Sequence, residues 1–261
     1  MMKRIAHVAL IGSGNVATHL GMAFAAKGIR VIQVFSRSLG KAETLARKLS
    51  CEAIDDLSGL SDAADLYVFA ISDDAIPGLV AAFPHHGKLL VHTSGSTEMQ
   101  VLKGKSDRYG VFYPLQTFSR DVPLDFSQVP LCLEASDAGT LELLEDLAGK
   151  LSMNVARVSS EHRRKLHLAA VFACNFVNHM YAQAAEILED NDLPFELLRP
   201  LIQETARKVM VEDPKSVQTG PARRHNKGII EKHLQMLEKN PGLQEMYQFI
   251  SESIMSQYGN K

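Results

Sequence analysis

"VALIGSGNVATHLGMAFAAKG", residues 8–28, sets an apolar run, a glycine-rich turn and a helical pattern in direct succession. Gly12, Gly14 and Ala17 stand in the order G-x-G-x-x-A, after a strand and before a helix that starts near Val16. Each small residue has a physical task. Gly12 permits the tight turn, Gly14 lets an anion approach the backbone, and Ala17 lets the helix pack closely on its strand. The free N–H groups and positive end of that helix face whatever lies over the turn. A second apolar run, "RVIQVFSR" at 30–37, completes a βαβ unit. The pattern predicts a dinucleotide whose diphosphate rests on Gly12, Ser13, Gly14, Asn15 and Val16.

The rhythm continues outward. "KAETLARKLS" reads as a helix, "DLYVFAIS" as a strand, the stretch from Ile76 as a helix, and "KLLVHTSG" and "RYGVFYP" as strands separated by a short helical piece. Near-continuous apolar strands belong to a parallel sheet covered on both faces. A last strand pair is expected at "VPLCLEAS" and "MNVARVS". Beyond about residue 161 only helical patterns remain, near 161–191, 194–211, 224–239 and 241–258. The expected fold is α/β, with a Rossmann-type parallel-sheet domain over 1–158 followed by an all-helical domain over 159–261.

Composition narrows the classes of function. The 261 residues, 46% hydrophobic, suffice for real cores. Lys and Arg number 28 against 30 Asp and Glu, so no net field gathers nucleic acid or coats an anionic membrane. Cys51, Cys132 and Cys174 are odd in number and form no CxxC pair, which argues against a disulfide framework or a zinc site and fits a reducing cytoplasm. No metal is expected, since no His, Cys and carboxylate spacing suggests one. The start "MMKRIAHVALIGSG" is too short in its apolar run for a signal segment, no run approaches the roughly 18 residues of a membrane span, and "SQYGNK" carries no lipidation signal.

Cofactor choice is read at the end of the second strand. An NAD site places Asp or Glu there to hold the ribose hydroxyls, whereas this chain has Ser36, Arg37 and Ser38. A guanidinium and two hydroxyls suit a 2′-phosphate, so NADP(H) is expected, with Arg37 as the main clamp. Ile71, Ser72 and Asp73 follow the next strand and are expected on the nicotinamide side, although Asp73 also suits the N-cap of the helix from Ile76. Thr93, Ser94 and Gly95 are assigned to the cofactor and Ser96 to the substrate. "YPLQTFS", residues 113–119, leaves the same edge of the sheet and reads as a site wall. There Pro114 fixes the turn, Tyr113 and Thr117 line the substrate, and Gln116 orients the reacting group.

"LIGSGNVATHL", "FSRS", "VHTSGS", "YPLQTFS", "HLAAVFACNF" and "TGPARRHN" together resemble the proteins that join a Rossmann-like domain to the domain of unknown function numbered 2520. The N-terminal part is similar to pyrroline-5-carboxylate reductases and deazaflavin-dependent NADP oxidoreductases. That resemblance implies NADP-linked hydride transfer to or from a small C=O or C=N substrate, and commonly a dimer built through the helical half. In 3-hydroxyacid dehydrogenases of this general build, a helix carries a catalytic Lys four residues before an Asn. Here Asn175 has Val171 at that place.

His167, two turns ahead of Asn175, is then the nearest general acid, imidazole titrating near neutrality. Lys165 is its rival on the same helix. The helix from Leu166 to Leu188 is apolar almost all round, which predicts burial on most faces. At about 100° per residue His167 and Asn178 project within about 20° of each other, and Asn175 about 60° from Asn178. Asn175 is expected to orient the reacting group together with Ser94 and Gln116 while His167 exchanges the proton; the bland alternative makes His167 and Asn175 a satisfied buried pair bonding to the neighbouring domain. "QTGPARRHN" presents Arg223 and Arg224, either as holders of a distal carboxylate or phosphate or as helix-start surface charges. Two other classes remain open: a non-catalytic NADP(H)-responsive regulator, and a partner-binding protein with a vestigial nucleotide site.

Overall fold

The computed structural model describes residues 4–259. The extreme ends of the "MMKRIAH" start and of the "SQYGNK" terminus lie outside them. Two compact units are present, the first ending at Cys174 and the second beginning at Asn175.

The first unit is built on β1 (His7–Ile11), β2 (Arg30–Phe35), β3 (Glu52–Ile54), β4 (Leu66–Phe69), β5 (Leu89–His92), β6 (Tyr109–Pro114), β7 (Leu131–Ala135) and β8 (Val155–Arg157). They form one sheet in the order β3-β2-β1-β4-β5-β6-β7-β8. Every pair is parallel except β6 with β7. Side chains alternate between faces along a strand. Val8 and Leu10 therefore enter the core beneath α1 (Asn15–Ala26), α2 (Leu39–Leu49) and α4 (Ala138–Leu151), while Ala9 and Ile11 enter the core beneath α3 (Ile76–Ala82). β1, β4 and β5 are buried along nearly their whole length, which is why their sequences are apolar without interruption.

The chain leaves β1 toward β2 on one side and returns through β4 on the other, so the strand order reverses between β1 and β4. In such a sheet ligands bind outside the carboxyl ends at the point of reversal. The carboxyl edge accordingly collects the turns after β1, β2, β4, β5 and β6.

Several elements depart from the expectations. β3 is only "EAI" and is pinned by Gln33, which donates to Glu52 at 2.8 Å and to the Gly59 carbonyl at 3.0 Å. The expected last strand pair is β7 with β8, joined in parallel through α4. That helix is capped by Asp137, which accepts from Thr140 N–H at 2.9 Å, and buries Leu144, Leu147, Ala148 and Leu151. Tyr113 and Pro114 close β6, as expected of "RYGVFYP", and the β7 backbone opposite them continues the ladder to Leu131, so Pro114 ends a strand instead of fixing a turn.

α5 (Ser160–Ala170) falls within the first unit and is tied to its sheet by a buried cation. Arg163 is fully buried. Its guanidinium donates to Glu134 of β7 at 2.7 Å and to the Thr97 carbonyl at 2.5 Å. Ser160 closes the set, donating to the same Glu134 carboxylate at 2.6 Å. Burial would raise the Glu134 carboxyl, but the hydrogen bonds from Ser160 and Arg163 outweigh it and hold the group ionised below its ordinary range.

After α5 the helix widens into a π-helical turn, Val171–Phe176, before α6 (Val177–Glu189). A π turn interrupts the 100° step, so angles reckoned along a regular helix from His167 to Asn175 and Asn178 do not hold. The expected burial of this helix is also corrected. α6 buries no residue, and Leu168, Phe172, Phe176 and Ile187 are exposed. An all-round apolar pattern marks a surface to be covered. The second unit continues with α7 (Arg199–Val209), α8 (Lys227–Met236) and α9 (Pro241–Tyr258). Within it His233 meets the Tyr247 hydroxyl at 2.8 Å. No helix among the described residues is long and apolar enough to cross a membrane.

Candidate functional site

A crevice of about 660 Å³ lies along the carboxyl edge of the sheet, wholly within the first unit, and is of a size usual for ligand sites. The glycine turn forms its floor. Gly12 has φ +123°, and a Cβ there would fall 2.1 Å from the Ala70 carbonyl oxygen, so the turn after β1 admits no side chain. Around Gly14 the reverse holds: a Cβ would meet nothing within 4 Å, which leaves open space above the turn. Gly14 is the N-cap of α1 and brings no side chain to its first turn. The first N–H groups of a helix have no partner within it, so these remain available to an anion.

Fifteen of the expected residues beside Gly12 and Gly14 also line the crevice: Ser13, Asn15, Val16, Ser36, Arg37, Ile71, Ser72, Asp73, Thr93, Ser94, Gly95, Tyr113, Pro114, Gln116 and His167. Lys41 and Arg120 line it as well and were missed by sequence reasoning. Lys41 was legible as the first turn of α2 beside Ser36 and Arg37. Arg120 is brought in by the path of its loop, which no local pattern signals. Asp73 is the one carboxylate among the described lining residues. It caps nothing: α3 has Ala75 at its N-cap, and Asp73 instead accepts from the Ser96 hydroxyl. Ser94 Oγ is spent locally, accepting from the N–H groups of Ser96 and Thr97 and donating to Thr97 Oγ1 at 2.9 Å. Gln116 Oε1 accepts from Thr117 N–H at 2.8 Å.

At the β5–β6 end, His167 Nδ1 lies 3.1 Å from the Tyr113 hydroxyl, with the two rings edge to face. Gly95 makes this possible, since a Cβ there would fall 2.6 Å from His167 Nδ1. Burial pushes the Tyr113 phenol up to about 12, so it stays protonated at neutral pH. His92, fully buried at the end of β5, accepts at Nδ1 from Ser94 N–H at 3.2 Å. Burial first, then the positive charge of Arg163, bring its imidazole down to about 4, so it stays neutral.

Ser38, Ser96 and Thr117 are exposed outside the crevice lining, and Lys165 is occupied in an exposed ion pair with Glu161. Asn175, Arg223 and Arg224 belong to the second unit. Asn175 is exposed on the π-helical turn and is therefore not half of a buried pair with His167. The Arg223 guanidinium lies 4.2 Å from the centroid of the Tyr258 ring, which gives it a packing role, and Arg224 is exposed. Among the described residues no cluster of three metal-ligating side chains occurs.

Two family models match the sequence. The one described as NADP oxidoreductase, coenzyme F420-dependent, matches residues 7–95, and the domain of unknown function DUF2520 matches residues 129–254. No curated protein sequence matches. Among solved structures, a candidate NADP oxidoreductase of Bacteroides fragilis, BF3122, is 44% identical with a TM-score of 0.93, covering 97% of this chain and 98% of its own. An imine reductase of Myxococcus stipitatus in complex with NADP+ has a TM-score of 0.65 at 20% identity, covering 96% and 92%. A pyrroline-5-carboxylate reductase of Coxiella burnetii has a TM-score of 0.56 at 17% identity, covering 98% of each chain. At such identities the latter two show the fold alone.

The buried imidazole makes stability depend on pH with a definite sign. His92 titrates near 4 in the folded chain against 6.5 for the ordinary side chain, so its contribution is complete above pH 6.5 and lost as pH falls toward 4. That loss is on the order of 3 kcal/mol. Urea unfolding at pH 7 and pH 4 is expected to show a smaller difference for His92→Asn than for the unaltered chain. An equal difference in the two proteins would contradict a buried neutral His92.

Proposed function

The chain belongs to the family that joins a domain of the NADP oxidoreductase, coenzyme F420-dependent, type to a DUF2520 domain, and from that premise we propose that it is an NADP(H)-dependent oxidoreductase. Its substrate in this reading is a small molecule with a C=O or C=N carbon, to or from which a hydride passes. The observation that carries the reading is the crevice at the point of strand reversal. It combines an uncapped helix N-terminus, room above Gly14, and Ser36 with Arg37 where an NAD site would hold a carboxylate. The bound cofactor supplies or takes the hydride at its nicotinamide.

Everything else is the work of this chain's own backbone and side chains. Gly14, Asn15 and Val16 offer backbone N–H groups to the diphosphate, and Arg37 and Lys41 hold the 2′-phosphate. Ser72, Asp73, Thr93 and Ser94 border the nicotinamide end, and Gln116 orients the reacting group. Tyr113, protonated at neutral pH, donates to His167 Nδ1, and an imidazole accepting there carries its proton on Nε2. Nε2 has no partner among the described residues and exchanges the substrate proton. Tyr113 thereby sets the tautomer and direction of the ring rather than supplying the proton. The three free cysteines suit the reducing cytoplasm in which we place the protein.

We also propose a homodimer through the second unit. α6 and α7 bury no residue in the single chain, and Phe176, Leu197, Leu201, Met210, Met236 and Phe249 of that unit are exposed. Monomers rarely leave such area open, and a second copy supplies the same apolar surface in complementary form.

Calorimetric titration is expected to show NADPH binding more tightly than NADH, with Arg37→Ala reducing the preference roughly tenfold or more. Equal affinity for both nucleotides in the unaltered chain would contradict the 2′-phosphate assignment, and no affinity for either would contradict the function. Once a substrate is found, His167→Ala is expected to lower turnover roughly 10²–10⁴-fold with NADPH affinity retained, and unchanged turnover would remove His167 from its role. Light scattering after gel filtration is expected to give twice the 28.7 kDa of one chain, and a monomer at micromolar concentration would contradict the dimer.

A further inference from the structure

Arg120 stands at the end of the segment that leaves β6, and the structure ties that segment to the glycine turn. Asn15 Nδ2 donates to the Phe118 carbonyl at 2.8 Å, and His19 Nε2 lies 2.9 Å from the Ser119 carbonyl. The Phe118 ring packs 5.1 Å from the His19 ring and 6.3 Å from Phe126. The segment thus runs along the first turns of α1, and Arg120 reaches from it to the turn itself, where Nη2 donates to the Ser13 carbonyl at 2.9 Å. This is its one hydrogen bond among the described residues, and its buried Nε has none.

Among the described residues Arg120 also has no counterion. Arg157, Arg163, Arg164, Lys165, Arg199 and Arg207 each hold a Glu carboxylate. Arg37, Lys41 and Arg120, the three Lys and Arg residues on the crevice, form no ion pair among the described residues, and Asp73 is already engaged by Ser96. Placing three like charges on one cleft with no carboxylate paired to any of them is unfavourable unless an anion joins them.

Resting on the NADP(H) reading above, we infer that Arg120 is a ligand of the cofactor's 5′-diphosphate, closing over it as a strap from β6 while the first-turn amides of α1 hold it from below. The division of labour follows from position. Arg37 stands at the end of β2 and Lys41 in the first turn of α2, beside the adenine ribose. Arg120 is held at Ser13, one residue before Gly14, where the backbone is open to the diphosphate. A guanidinium keeps several donors after its bond to Ser13, enough for a bidentate contact with phosphate oxygens.

Two fragments of the cofactor separate the possibilities: ADP has the diphosphate without a 2′-phosphate, and 2′-AMP has the 2′-phosphate without a diphosphate. Calorimetry on the full chain is expected to show Arg120→Ala weakening ADP roughly ten- to a hundredfold and 2′-AMP by less than about twofold. Arg37→Ala is expected to do the reverse, and Arg120→Lys to restore part of the ADP affinity, since it keeps the charge and loses the fork. If Arg120→Ala is poorly folded by circular dichroism, Arg120→Gln takes its place in the same comparison. ADP affinity unchanged in the variant, or 2′-AMP weakened as much as ADP, overturns the proposal while NADPH binding by the unaltered chain leaves the function standing. No NADPH binding by the unaltered chain overturns both.

Discussion

The backbone at Gly12 passes so close to β4 that only a hydrogen atom fits between its Cα and the Ala70 carbonyl. The rest of the site depends on this approach. It occurs where the strand order reverses, so the two strands that diverge into the halves of the sheet are held together at their carboxyl ends by main chain alone. Gly12 N–H donates to the Phe35 carbonyl at 2.8 Å and Ala70 N–H to the Ile11 carbonyl at 2.8 Å, which carries the parallel ladder to the last residue before the turn. A side chain at Gly12 would separate β1 from β4, lift the start of α1 and remove the open space above Gly14. The geometry that admits an anion is a consequence of how tightly the sheet closes beneath it.

A second constraint fixes the other end of the crevice. A buried guanidinium is costly unless it is paired, and the two terminal nitrogens of Arg163 bond groups from three places, Glu134 on β7, the Thr97 carbonyl after β5 and Ser160 on its own helix, while its buried Nε has no partner among the described residues. These bonds fix where α5 lies on the sheet. His167 stands four residues on, along the same face of the helix, and so arrives against Tyr113 and over Gly95. An apolar residue at Arg163 would fill the volume without specifying the rotation of the helix.

The parts of this arrangement that rest on local chemistry were legible in the sequence. The turn at 12–16, the missing acid after β2 and the strand ends at 71–73 and 93–95 each announce themselves by residue type beside an apolar run. What was not legible depends on distant partners. β3 is three residues long and exists because Gln33 and Glu52 meet across strands. The helix α4, with its Asp137 cap and leucine stripe, was passed over although its signals are local. The π-helical turn has no sequence pattern that a 3.6-residue period would detect, and it defeats angular bookkeeping for Asn175. Arg163 and Arg120 read as ordinary charges in the chain and acquire their places only through Glu134, Thr97 and Ser13, residues between 29 and 107 positions away.

The crevice also separates recognition from chemistry along its length. Its cations, Arg37, Lys41 and Arg120, gather around the ends of β1 and β2 and the start of α2. At the β5–β6 end burial instead keeps two titratable groups neutral, Tyr113 protonated up to about 12 and His92 uncharged down to about 4. Between those limits neither group changes its charge as pH varies. In the oxidoreductase reading proposed above, the proton exchanged by His167 therefore moves beside two groups whose own charge stays fixed. Tight anion binding and a clean proton transfer make opposite demands on their surroundings, one needing concentrated charge and the other its absence. Placing them on different strands of one sheet edge lets a single rigid scaffold meet both.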